Sequence, residues 1–169
     1  MNKGYEATGV LSVEDLGKAP GFPSEERIKK GPVAVIECVQ DIPCNPCVAA
    51  CPFGAINVET LISLPELDKE KCIGCGSCIA HCPGLAIFLV DYNHSETHAL
   101  ISFAYEFLPL PKVGDIVDAT DRSGRVVTKG KVIRVLEKKD FDHTAVISIA
   151  VLKEYVHDVR GIAFLKGGE

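Results

Sequence analysis

Eight cysteines, all within residues 38–82, form two quartets that each end in Cys-Pro, and they restrict this chain more than any other feature. The first quartet is Cys38-x5-Cys44-x2-Cys47-x3-Cys51-Pro52, and the second is Cys72-x2-Cys75-x2-Cys78-x3-Cys82-Pro83. The second carries the spacing that wraps cubane iron–sulfur clusters; the first is the same run stretched at its start. A tight loop brings three thiolates to one cluster, while the cysteine three residues further on has turned away and reaches the other cluster. Pro52 and Pro83 have no N–H and bias the preceding residue toward extended backbone, so each short helix after the loop is expected to stop there.

The quartets are also an internal repeat. A shift of 31 lays Cys44, Cys47, Cys51, Pro52, Ala55 and Ile56 on Cys75, Cys78, Cys82, Pro83, Ala86 and Ile87. A pseudo-twofold module with crossed ligation follows, in which Cys38, Cys44, Cys47 and Cys82 hold the first [4Fe-4S] cluster and Cys72, Cys75, Cys78 and Cys51 hold the second. One departure matters: the same shift lays Cys72 on Asp41, a carboxylate where a ligand is expected. The alternative therefore gives Asp41 to iron and leaves Cys38 as a free core thiol. Thiolate is the softer partner for these clusters, and a loop absorbs a short insertion easily, so Cys38 is the expected ligand.

With these residues in place, the stretch from Pro32 to Asp91 resembles the bacterial two-cluster ferredoxin family. The resemblance implies an α+β fold, a ferredoxin-like βαββαβ module, and one-electron transfer as its work. The words Gly31-Pro32-Val33-Ala34-Val35-Ile36-Glu37-Cys38 and Ile42-Pro43-Cys44-Asn45-Pro46-Cys47 add a finer likeness. They resemble the small ferredoxin-like subunits of multi-subunit flavin-dependent amine and imino-acid dehydrogenases of the proline or hydroxyproline type. That likeness implies flavoprotein sister chains that hold flavin and substrate, with this chain as the electron-transfer subunit and not itself the enzyme. A free-standing diffusible ferredoxin is the rival reading. A structural zinc module is a third, disfavoured because closed zinc sites want paired cysteines with longer separation.

The pattern along the chain divides it into an N-terminal arm over 1–30, the two-cluster module over 31–91 and a small all-β domain over 92–169. In the arm, Ser24-Glu25-Glu26-Arg27 is positioned to open a short helix. In the module, strands are expected at residues 33–36, 55–58, 64–67 and 86–90, which gives the βαββαβ order. Beyond Asp91 there are no cysteines, and β-branched runs at 99–108, 116–120, 125–136 and 144–152 read as strands. Lys129-Gly130 is expected to break the third run, and Ser123-Gly124 to make a hairpin turn. This half is expected to form its own barrel-like or sandwich sheet that packs or docks.

Several chemistries find no support in the sequence. No amino-terminal leader pattern and no apolar stretch of membrane-spanning length is present, and cysteines with metal spacing suit a reducing compartment, so a cytoplasmic location is expected. There is no phosphate-binding glycine loop, hence no flavin or nucleotide site expected in this chain. No catalytic signature appears: His143 beside Asp142 and His157 beside Asp158 are adjacent in sequence, and neighbours along a strand face opposite ways. The basic residues between Arg122 and Lys139 are interspersed with acids and scarce in aromatic company, so a solvated sheet face is expected and not a nucleic-acid stripe. His81, between Cys78 and Cys82, is expected to face water; the functional alternative has its N–H bonding a cluster sulfur. Pro43 and Pro46 remove two backbone donors from the first loop, so the second cluster is expected to have the higher potential unless the inserted residues 39–42 replace them.

Overall fold

The computed structural model describes residues 4–165. The arm contains three short helices, α1 (Tyr5–Thr8), α2 (Val13–Leu16) and α3 (Glu25–Lys30). Two of them begin at serine caps that satisfy amide donors left open at a helix start. Ser12 accepts from the Asp15 amide at 3.1 Å while the Asp15 carboxylate accepts the Ser12 amide at 3.1 Å, and Ser24 accepts from the Arg27 amide at 3.4 Å. The arm lies on the module through Leu16 and Ile28, which are buried. Gly21 marks its closest approach: a Cβ there would sit 2.7 Å from Ile36 Cβ and 2.8 Å from the Pro65 carbonyl oxygen, so only glycine fits.

Next come β1 (Val33–Ile36), α4 (Pro46–Ala50), β2 (Ile56–Asn57), β3 (Glu66–Leu67), α5 (Ser77–Ala80) and β4 (Ile87–Asp91). This is the expected βαββαβ order, with β1 antiparallel to β4 (Val33 opposite Val90) and β2 antiparallel to β3. Both cluster-loop helices end where the Cys-Pro pairs require. Cys51 has already turned extended at φ −88°, ψ 104°, and α5 stops at Ala80, ahead of Cys82.

Beyond β4 the structure departs from the expectation of a self-contained barrel or sandwich. The strands β5 (His98–Tyr105), β6 (Ile116–Thr120), β7 (Val126–Leu136), β8 (Ala145–Leu152) and β9 (Gly161–Ile162) continue the sheet that β1 and β4 begin. The order is β1-β4-β5-β8-β7-β6-β9, with every pairing antiparallel. β8 lies centrally, and its run Ala145 to Val151 is buried at every position, which explains an unbroken apolar segment instead of an alternating one. The one polar side chain in it, Ser148, shares a buried hydroxyl–hydroxyl bond of 2.7 Å with its cross-strand partner Ser102.

The expected break at Lys129-Gly130 is absent. Gly130 stays within β7, where a Cβ would come 3.0 Å from Ile149 Cδ1 and 3.2 Å from Val151 Cγ1. It serves side-chain packing from β8, not strand termination. The Ser123-Gly124 turn is present, with Gly124 at φ 79°. A single apolar core runs from Val33 and Ile36 through Phe88, Ile101 and Phe103 to Ile149 and Val159.

Candidate metal centres

The two runs fold against each other so that the thiols sort into two cavities. One is lined by Cys38, Cys44, Cys47 and Cys82 together with Ile36, Ile42 and Pro65. The other is lined by Cys51, Cys72, Cys75 and Cys78 with Ala34, Ile56 and Leu89. Each cavity therefore receives three cysteines from one run and the last cysteine of the other. Asp41 is exposed and lines neither cavity, whereas Cys38 is half-buried at the wall of the first.

This donor set fits an iron–sulfur cluster. Neither cavity wall carries a carboxylate or an imidazole, so the available donors are soft sulfurs in apolar surroundings. Burial, reinforced by neighbouring thiols, pushes Cys47 up to about 11 and Cys78 up to about 12. Such thiols keep their protons until a metal displaces them. Among the described residues no three His, Cys, Asp or Glu side chains converge on a point that one ion could fill. The sulfurs ring a volume instead.

The repeat extends to hydrogen bonds. Ala55 N–H donates to Cys51 Sγ at 3.2 Å, and its counterpart Ala86 N–H donates to Cys82 Sγ at 3.4 Å. The second cavity also receives the Ala34 N–H on Cys72 Sγ at 3.4 Å and has the Ser77 hydroxyl 3.6 Å from Cys75 Sγ. In the first, the Ala86 amide is the described donor to a sulfur. The described hydrogen bonds to sulfur are thus more numerous at the second cavity, the direction expected from Pro43 and Pro46. A local effect remains. Ser77→Ala is expected to lower the midpoint of the Cys72-side centre by on the order of 20 mV, the one-electron equivalent of about 0.5 kcal/mol. A redox titration followed by electron paramagnetic resonance reads it, and an unchanged midpoint would remove the hydroxyl from the tuning groups.

Two residues fix the second loop. Gly74 has φ +71°, and a Cβ on it would lie 2.6 Å from Pro32 Cβ and 2.7 Å from the Pro32 carbonyl oxygen. Gly74→Ala is expected to strain the backbone and displace Cys72 and Cys75 together, leaving about half the iron of the parent; full iron content would contradict the steric reading. Arg27 of α3 gathers four backbone carbonyls around that loop: Lys69 at 2.8 Å, Gly31 at 3.2 Å, Pro32 at 3.3 Å and Cys72 at 2.7 Å.

Of the histidines, His81 departs from its expected place. His81 is half-buried, not solvent-facing: its Nδ1 lies 2.8 Å from the Ser77 carbonyl oxygen, and its ring packs edge-on against Phe141 at 5.9 Å. The Nδ1 proton is thus committed to a carbonyl and not to a sulfur. His157 pairs with Glu25 of the arm through Nε2 at 2.8 Å, not with Asp158. His143 is an exposed turn residue at φ 70°. Three of the seven basic residues from Arg122 to Lys139 are ion-paired among the described residues: Arg122 with Glu37, Arg125 with Asp121 at 3.1 Å, Lys129 with Asp118 at 2.5 Å.

A buried ion triad beside the first centre was not foreseen from the sequence. Glu37, which precedes Cys38, accepts from Arg122 Nε at 2.8 Å, from Arg122 Nη2 at 2.6 Å and from Arg160 Nε at 2.6 Å. Burial alone would raise the Glu37 carboxyl, but hydrogen bonds and charge from Arg122 and Arg160 outweigh it and hold the group below its ordinary value. The signal for this triad is an acid that directly follows the apolar run Val33 to Ile36, where a charge needs partners.

Residues 33–86 match the family model described as a 4Fe-4S dicluster domain. The chain is 47% identical over 47 residues to the aliphatic sulfonate oxidoreductase polyferredoxin-like subunit of Pyrococcus furiosus, covering 28% of this chain and 27% of that protein. It is 48% identical over 48 residues to a subunit of the ion-translocating oxidoreductase complex of Methanosarcina acetivorans, covering 28% and 17%. It is 33% identical over 78 residues to the beta subunit of the dissimilatory-type sulfite reductase of Archaeoglobus fulgidus, covering 46% and 19%. The chain thus spans less than a third of the length of each of these relatives. No solved structure matches. Among the described residues no helix is long and apolar enough to cross a membrane. Cysteine spacing, cavity lining and family model converge on one statement: residues 33–86 form an iron–sulfur domain of the 4Fe-4S dicluster ferredoxin type.

Proposed function

We propose that this chain relays single electrons to or from a flavin-containing partner, through one cluster held by Cys38, Cys44, Cys47 and Cys82 and a second held by Cys51, Cys72, Cys75 and Cys78. The observation that carries the reading is the sorting of the thiols into two apolar cavities, each drawing three from one run and one from the other. When bound, a four-thiolate cubane supplies one-electron redox chemistry and offers no open position to a substrate. The chain's own residues then position and insulate. Arg27 and Gly74 hold the second loop, Ala55 and Ala86 amides stabilise charge on the crossed sulfurs, and Ile36, Ile56 and Leu89 exclude water.

Relatives named as subunits of oxidoreductase complexes support a place beside a catalytic chain. The likeness to small subunits of amine and imino-acid dehydrogenases supports a flavoprotein as that chain, in the cytoplasm. A stably docked subunit is favoured over a diffusing carrier by the exposed group Phe107, Leu108 and Phe164, with Phe107 edge-on to Phe164 at 4.6 Å. Ile42, Leu61 and Ile62 near the first centre and Phe53 and Ile73 near the second are also exposed. The stretch 31–90 carries six acids against two bases, so a transient partner there should be basic and salt-sensitive.

Anaerobic purification of the tagged chain from its host tests the reading. The expected result is about eight iron and eight sulfide per chain, a brown colour bleached by dithionite, and a flavoprotein at fixed stoichiometry. Full iron without any partner would favour the diffusible carrier. Colourless protein retaining zinc would overturn the cluster assignment.

A further inference from the structure

An open cleft lies between the loop that follows Cys82 and the turn between β6 and β7. The Glu37 triad forms part of its wall, with Glu37 and Arg160 each 7% exposed. Both Glu37 oxygens are committed to the two guanidiniums. Arg160 also donates from Nη1 to the Val156 and Val159 carbonyls at 3.0 and 2.6 Å, and the Phe88 ring covers its face at 5.2 Å. Its Nη2 donates to no group among the described residues. Arg160 is among the residues that line the cleft.

The other carboxylate on the cleft wall offers it nothing. Asp121 Oδ1 accepts from the Ser123 amide and hydroxyl and from the Arg125 amide, and Oδ2 accepts from the Arg125 guanidinium. Asp158 is exposed and does not line the cleft, though its charge also acts on Arg160 from outside it. One carboxylate shared by two guanidiniums leaves a positive charge that burial makes costly, and a planar fork matches an oxoanion.

We infer that this cleft binds an oxoanion, a carboxylate or a phosphate group, against Arg160 Nη2 beside Arg122. The assignment goes beyond the electron relay and stands independently of cluster chemistry. The anion can arrive as an acidic group of a partner polypeptide or as the phosphate of a small molecule.

Calorimetric titration of the cluster-loaded full chain with inorganic phosphate, and separately with acetate, at constant ionic strength in chloride, tests the inference. Saturable binding of one anion per chain is expected. Acetate as the tighter probe assigns a carboxylate, and phosphate as the tighter probe assigns a phosphoryl group. Gly84→Phe adds bulk at the cleft wall, where a Cβ would meet nothing within 4 Å. It is expected to weaken binding about tenfold or more, the equivalent of one charge-assisted hydrogen bond, with melting temperature and cluster absorbance unchanged. Arg160→Lys is expected to weaken binding as much; should that variant fail to fold, Gly84→Phe decides alone. Absence of saturable binding by either anion, or undiminished binding in Gly84→Phe, overturns the inference.

Discussion

Replacing Cys51 by alanine is expected to abolish the cluster whose other thiols, Cys72, Cys75 and Cys78, lie in the second run, and to spare the cluster beside Cys38. Cys82→Ala is expected to do the reverse. The grounds are geometric: Cys51 lines the cavity of the second run and Cys82 that of the first. Proximity along the chain predicts the opposite pairing. The readout is iron content together with two resolved paramagnetic signals in the reduced state, each variant losing about half the iron and one signal. Should Cys51→Ala remove the signal that Cys44→Ala also removes, ligation is not crossed and the pseudo-twofold arrangement fails. Because all four thiols of a site contribute to holding it, a three-iron remnant at the damaged site still counts as loss of the four-iron signal.

Glu37→Leu is expected to be the most damaging single change outside the cysteines. It leaves Arg122 and Arg160 facing each other without the carboxylate that both contact at 2.6 Å, in a place where Arg160 is 7% exposed. Breaking one partner out of a buried ion network costs about 3–5 kcal/mol, a large part of the total stability of a small protein. Cluster loss makes unfolding irreversible, so the rate of bleaching at a fixed temperature is the proper measure. If the triad is broken in the unfolding transition state, that rate rises by up to roughly 10²–10³-fold. A compensated variant in which Glu37, Arg122 and Arg160 are all replaced by apolar residues is expected to recover most of the loss. Bleaching of Glu37→Leu at the parental rate would show that the triad contributes little.

The parts of this molecule that are legible in the sequence are those governed by short-range constraints. Ligand spacing around a cubane is a local matter, so the grouping of Cys72, Cys75 and Cys78 follows from a seven-residue run, and Pro52 and Pro83 mark where α4 and α5 stop. Pairing partners are a different matter. Strand propensity locates β5 and β8 to within a few residues, yet nothing in those residues states that β5 pairs with β4 rather than closing a sheet of its own. Little local distinguishes Arg27 and Arg160 from ordinary surface charges, because the Cys72 carbonyl and the Glu37 carboxylate that they bind lie 45 and 123 residues away. The role of Gly130 is hidden for the same reason: it depends on Ile149 and Val151 of the strand beside it, not on its neighbours in sequence.

The outward edge of β1 has a consequence for the protein. The Val33 to Ile36 strand faces β4 on one side; on the other, its free amides are occupied by Cys72 Sγ, at 3.4 Å from the Ala34 nitrogen, and by the Gly21 carbonyl, at 3.1 Å from the Ile36 nitrogen. A sulfur and an arm carbonyl stand where a neighbouring strand would otherwise pair. At the far side of the sheet, β9 is only two residues long. A sheet so bordered gives another chain little to extend. Displacing the Cys72 loop would uncover the Ala34 amide and leave a strand of four apolar residues open to pairing at its edge.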